Sequence, residues 1–148
     1  MRLALAAMLL AAPVLAAAAE FRSLGDKPAV LYDAPSVRAA RLYVASRHYP
    51  FEVLVKLDQW TKVRDADGAV AWVENKSLGD RQTVIVTVPL ADVRAGPNAQ
   101  SALVFEAYKQ VLLEAVEAPA DGWVRVRHRD GQQGYIRVSH IWGVPAPA

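Results

Sequence analysis

Residues 123–141 read W-V-R-V-R-H-R-D-G-Q-Q-G-Y-I-R-V-S-H-I. Val124 and Val126 alternate with Arg125 and Arg127, the period-two pattern of a strand with one buried face. Asp130-Gly131 marks a tight turn, because Gly takes positive φ without steric cost. Tyr135 and Ile136 begin the return strand. Residues 60–78, W-T-K-V-R-D-A-D-G-A-V-A-W-V-E-N-K-S-L, follow the same plan. At a single offset of 63 (123 − 60), Trp60 falls on Trp123, Val63 on Val126, Trp72 on Tyr135, Val73 on Ile136 and Leu78 on Ile141. One β unit is used twice.

Outward from the hairpins, the remaining segments fit the same unit. Glu20–Lys27 is a short polar lead, expected as a loop. Pro28–Tyr32 is a strand candidate, closed by the turn Asp33-Ala-Pro-Ser36, in which Pro35 cannot donate to a ladder. Ser36–His48 reads either as a loop ending in a strand near Arg41–Val44 or as a short helical piece, and the first is favoured. Pro50–Leu57 places Phe51, Val53 and Val55 on one face. Ser77–Asp80 is expected as one turn of 3₁₀ helix. Arg81–Val88 is β-branched and carries the chain into the second repeat without a Pro/Ser-rich linker, which implies packed units and not beads on a string. Ala102–Tyr108 and Val111–Val116 are the middle strands of repeat two. Leu103–Val116 alone also suits a helix, but its counterpart in repeat one carries Pro50. By length the chain holds one domain or two small ones, and the repeat favours two: residues 20–86 and 87–143, with a frayed Pro/Ala tail at 144–148.

The first 19 residues differ from the rest. Arg2 is the only charge before Glu20, an apolar run spans Leu3–Leu15, and Ala17-Ala18-Ala19 ends the segment. This is the make-up of a cleavable secretory signal. Cleavage after Ala19 leaves 129 residues (148 − 19). The competing reading is a membrane anchor, for which the run is somewhat short and lacks a following stop-transfer pattern. Export places the chain in an oxidising compartment, periplasmic or extracellular, yet it has no Cys and so no disulfide. Attachment to lipid through a Cys at the signal end is excluded. The net charge of +2, or +1 without Arg2, supplies no drive toward nucleic acid.

The order D-V-R-A-G-P-N (92–98), G-W-V-R-V-R (122–127), D-G-Q-Q-G-Y-I (130–136) and a final apolar Ile141 resembles a bacterial SH3-like domain. Asp92 stands where Asn is usual and Tyr135 where Trp is usual. The first half resembles the same family more distantly, through L-Y-D-A-P-S, P-F-E-V-L-V, Q-W-T-K-V-R-D-A-D-G and A-W-V. There Tyr32 replaces the Arg that Arg94 supplies in repeat two, and Ala34 replaces Gly96. The resemblance implies an all-β chain of two tandem small SH3-like β-barrels. Physics favours that solution independently. A unit of about 60 residues buries only about 60% of its unfolded surface, and curling five or six short strands around one core makes the most of it. Val63, Val73, Val126 and Ile136 then point inward.

Trp60 and Trp123 open matched strands, and Trp72 and Tyr135 sit on the return strands. With Tyr32, or with Trp142, they are candidates to line a groove for an extended peptide or a glycan strand. The plainer alternative is core or inter-domain packing, since aromatics are bulky packing residues first. Arg125, Arg127 and Arg129 share a strand face, with Arg137 adjacent. They suit carboxylates of wall peptides or anionic glycans. The plainer alternative is a solvated face paired with Asp121, Asp130 or Glu117. His48, His128 and His140 lie in separate segments without metal-ligand spacing, so no metal or cofactor is expected. No nucleophile motif stands out, and Asp65 and Asp67 read as turn formers.

The family resemblance therefore implies a non-enzymatic, exported binding or targeting module of the cell envelope, with peptidoglycan or an envelope protein as its partner. The expected ligand residues are Tyr32, Trp60, Trp72, Trp123, Tyr135, Arg125 and Arg127. The alternatives are a small periplasmic enzyme with an unrecognised active site and a structural assembly factor.

Overall fold

The inward valines of the two matched hairpins decide the sheets. In the computed structural model, which describes residue 13 and residues 17–145, the described chain is built from β-strands and two 3₁₀ turns. The expected signal segment at 1–19 lies mostly outside the described residues, as do residues 146–148 of the expected tail.

Six strands form the first sheet: β1 (Glu20–Ser23), β2 (Ala29–Tyr32), β3 (Arg41–Ala45), β4 (Pro50–Lys56), β5 (Trp60–Arg64) and β6 (Val70–Glu74), in the order β1-β4-β5-β6-β2-β3. Seven form the second: β7 (Thr83–Val86), β8 (Leu90–Arg94), β9 (Leu103–Tyr108), β10 (Leu112–Ala115), β11 (Trp123–Arg127), β12 (Gln133–Arg137) and β13 (Ile141–Trp142), in the order β13-β7-β10-β11-β12-β8-β9. Each sheet curls back on itself. After β12 the 3₁₀ turn Val138–His140 swings the chain round so that β13 pairs with β7 at the far edge. In the first unit the 3₁₀ turn Asn75–Ser77 does the same, bringing Leu78 to bridge Leu24.

Each curl encloses one core. In the first, Phe51, Leu31, Val63 and Val73 are fully buried, with Leu24 beside them. In the second, Val84, Val93, Val124, Val126 and Ile136 take that role. All four valine and isoleucine positions expected inside have zero exposure. The hairpin registers match as the offset of 63 requires: Val63 pairs Ala71, and Val126 pairs Gly134. The segment Ser36–His48 adopts the loop-then-strand alternative, and the segment Leu103–Val116 is two strands, not a helix.

Two expectations are corrected: the 3₁₀ turn expected at Ser77–Asp80 lies at Asn75–Ser77, and the lead expected as a loop is part strand. Glu20–Lys27 is not all loop: Glu20–Ser23 forms β1, which pairs with β4. Its counterpart at the same offset is Thr83–Val86, and that strand pairs with β10 and β13. By strand pairing β7 therefore opens the second sheet, whereas a division at 86/87 assigns it to the first. At the other end, Val144 packs against the second core, one residue beyond the expected limit of 143.

The units are joined by more than the chain. Ser23 Oγ and Thr83 Oγ1 lie 2.6 Å apart, both residues buried, and the Thr83 hydroxyl also donates to the His48 carbonyl. Within the second unit, Gln82 Nε2 donates to the Gly143 carbonyl at 2.6 Å and ties the lead into β7 to the end of β13. Phe21 of β1 meets Trp142 of β13 edge to face at 5.1 Å.

Candidate functional site

Strand alternation that sends valines inward sends their neighbours out. On β5 the outward residues are Trp60, Lys62 and Arg64, and on β6 they include Trp72 and Glu74. Tyr32 at the end of β2 pairs with Trp72 and meets Trp60 edge to face, with ring centroids 5.4 Å apart. Lys62 Nζ stands 5.9 Å from the centre of the Trp72 ring. Three of the expected ligand residues, Tyr32, Trp60 and Trp72, are thus brought together. Tyr32 is only 7% exposed, so it serves mainly as the packing support of Trp60. The indoles of Trp60 and Trp72 are half-buried.

The second unit repeats the layout with different chemistry. Trp123, Arg125 and Arg127 face outward on β11, and Tyr135 and Arg137 face outward on β12. Tyr135 pairs laterally with Arg125 and with Arg94 of β8. Arg137 stacks over the Trp123 ring, its Cζ 4.7 Å from the ring centre. This is the cation–π geometry in which a guanidinium caps an indole.

The arginine face is largely paired. Arg125 donates to Glu117 at 3.0 Å and Arg127 to Glu114 at 2.9 Å. Glu114 also lies 3.8 Å from Arg81, and Arg127 borders the cleft between the units. Arg127 is therefore committed to the inter-unit cleft and not to the aromatic cluster. Trp142 is likewise not part of either face, since it packs on Phe21 across the junction. His48 pairs with Asp26 at 2.8 Å and His128 with Asp130 at 3.0 Å, in different units. These contacts hold both aspartates below the usual carboxylate range. For Asp26 the His48 hydrogen bond is the main cause, and for Asp130 the Gln132 backbone N–H comes first, then His128. Among the described residues no group of three His, Asp or Glu side chains converges as a metal site would.

The model of the bacterial SH3 domain matches residues 25–80 and again residues 87–143. The chain belongs to that family. The two matched spans of this bacterial SH3 family hold both aromatic faces and every strand except β1 and β7. Among solved structures, similar chains are NlpC2 from Trichomonas vaginalis (15% identity, TM-score 0.39, covering 84% of this chain and 48% of that one) and NlpC1 from the same organism (17%, 0.39, 93% and 50%). An NlpC/P60 family protein from Bacillus cereus is also similar (17%, 0.39, 87% and 60%). The chain spans about half to three-fifths of the length of these structures. No curated protein matches it.

Sequence reasoning did not join several residues of these bacterial SH3 domains into one place. Arg94, held by Asp92 at 2.6 Å and by the Ser101 carbonyl at 2.9 Å, borders a small cavity of about 100 Å³ with Trp123, Arg137 and His140. A wider cleft of about 760 Å³ runs between the domains, with Tyr43, Tyr49 and Asp65 on one side and Lys109 and Leu112 on the other. The available signal was the comparison of matched positions: Arg94 against Tyr32, Arg137 against Glu74 and His140 against Ser77.

Proposed function

We propose that this protein is a non-enzymatic, exported binding module that docks on peptidoglycan through two aromatic faces, one on each bacterial SH3 domain. One observation carries the reading. Trp60 and Trp123 occupy the same position in both domains, each half-exposed on a polar strand face. Each is also fixed by its own support, Tyr32 for the first and Arg137 for the second. A rigid, half-exposed indole flanked by polar groups suits the apolar face of a sugar ring. The neighbouring Lys62 and Arg125 suit the hydroxyls and carboxylates that a wall polymer presents alongside. Two such faces on one chain raise the apparent affinity for a repeating polymer without any new contact. Export is consistent with the fold, since β1 begins at Glu20, the residue that follows the expected cleavage after Ala19.

Sedimentation with purified peptidoglycan tests the proposal. Wild-type protein is expected in the pellet, and Trp60→Ala or Trp123→Ala alone should weaken retention by roughly tenfold. The double variant should stay in the supernatant. Wild type remaining soluble rejects the wall as ligand. Folded single and double variants that pellet like wild type reject the two faces.

A further inference from the structure

The cavity beside Trp123 has no equivalent contents in the first domain. There, Tyr32 occupies the matched position of Arg94 and turns its ring edge-on to Trp60. Glu74, paired with Lys76 at 2.8 Å, matches Arg137, and Ser77 matches His140. The second domain thus replaces a tyrosine, a glutamate and a serine with two arginines and a histidine around the same indole. The outcome is a cavity of about 100 Å³ bounded by Asp92, Arg94, Trp123, Arg137 and His140.

Three features make this a seat for an anion. His140 lines the cavity, and its Nδ1 is buried without a hydrogen-bond partner, a state relieved when the ring turns that nitrogen toward a ligand oxygen. Arg94 is fixed by Asp92 and the Ser101 carbonyl, so its fork is pre-set, and Asp92 offsets one positive charge. Arg137 lies over Trp123 and has no carboxylate partner among the described residues, which leaves one uncompensated positive charge at the cavity. A cavity of this size admits one small group and not a sugar ring.

We propose that this cavity binds a single carboxylate, presented as the C-terminus of a short peptide that lies across the Trp123 face. Arg137 is the main ion-pair donor, Arg94 supplies a fixed hydrogen-bond fork, and His140 Nδ1–H donates to a carboxylate oxygen. The proposal rests on the wall-binding reading for the second domain and narrows it, making a free peptide carboxylate the group recognised there and leaving the first domain to bind by its aromatic face alone.

Nitrogen-15 NMR of the full chain from residue 20 tests it, with acetyl-Ala-Ala acid, its C-terminal amide, acetate and inorganic phosphate as probes. The acid is expected to shift the His140 ring and Trp123 indole signals, and the amide to leave them in place. Acetate should displace the peptide acid. His140→Ser and Arg137→Glu introduce the residues of the first domain and should each weaken acid binding by roughly tenfold or more. Backbone spectra report whether those variants remain folded, and Arg41→Ala, at an exposed position of β3, serves as a folded control that should bind the acid normally. Equal shifts from acid and amide, or none from either, overturn the proposal. Displacement by phosphate as effective as by acetate overturns the choice of carboxylate. Wall sedimentation is read separately: pelleting without acid-selective shifts rejects the cavity and keeps the wall, whereas acid-selective shifts without pelleting keep the cavity and reject the wall.

Discussion

Tyr43 and Asp65 show how one hydroxyl can be tied to a turn. Asp65 accepts hydrogen bonds from the Asp67 and Ala69 backbone N–H groups at 3.0 and 2.9 Å, the turn role read from its sequence context. Its other oxygen accepts from Tyr43 Oη at 2.9 Å. In the second domain the matched residues are His128 and Phe105, whose rings meet at a tilt of 53° with centroids 5.8 Å apart and without such a bond. Burial first, and then the Asp65 hydrogen bond and charge, push the Tyr43 phenol well above the ordinary tyrosine range. The folded chain therefore keeps a proton that the unfolded chain releases near pH 10. That stabilisation is complete below about pH 10 and is lost as pH rises beyond it. Tyr43→Phe should lose roughly 1 kcal/mol at pH 7 and fall less steeply in alkali. Burial raises the Tyr49 phenol too, so part of the alkaline slope should remain. Urea unfolding at pH 7 and pH 10.5 checks both points, and an unchanged slope in the variant would exclude Tyr43 as its source.

Strands β8 and β12 meet over a short register, Tyr135 opposite Arg94, and Gly134 makes that approach possible. A Cβ there would lie 2.6 Å from the Arg94 carbonyl oxygen and 2.7 Å from Val93 Cγ1. The matched residue in the first domain is Ala71, buried at 2% exposure. Gly134→Ala should therefore cost about 1–3 kcal/mol, while Ala71→Gly should cost only about 0.5–1 kcal/mol. Comparable losses in denaturant melts would mean that the close approach is not the cause. Both hairpins were legible in the sequence because alternation, an Asp-Gly turn and a fixed offset agreed. Strand β1 was not, since Glu20–Ser23 lacks alternation and gains its place only by pairing with β4. The first 3₁₀ turn is expected at Ser77–Asp80, a few residues beyond its place at Asn75–Ser77, and its image 63 positions on, Val138–His140, was not legible. The aromatic residues were legible as residues, but not the division of labour by which Tyr32 supports, Trp142 bridges and Arg127 turns to the cleft. The cavity at His140 was hidden because its walls come from three distant segments, and its signal is a contrast between repeats, not a motif.

The two domains share a polar seam that a simple string of modules would lack. Thr83 sits at its centre, bonded through one hydroxyl to Ser23 and to the His48 carbonyl. Ser23 is fully buried and keeps the Thr83 backbone N–H as a donor to its oxygen, so losing the Thr83 hydroxyl leaves the Ser23 O–H without its acceptor. Thr83→Val, which keeps the shape of the side chain, should cost about 1–3 kcal/mol. It should also uncouple the domains. Wild type is expected to melt in one calorimetric step, and the variant in a broadened or split one. A single sharp step in both would show that the seam does not couple them. The membership of Thr83–Val86 in the second sheet bears on how the molecule can be dissected. A fragment begun at residue 87 would include the whole second family span and still lack the staple between β10 and β13. It would expose two raw edges and an empty slot lined by apolar side chains, an invitation to borrow a strand from a neighbouring copy. Scissors placed before Arg81 would instead release a piece that carries its own missing rung.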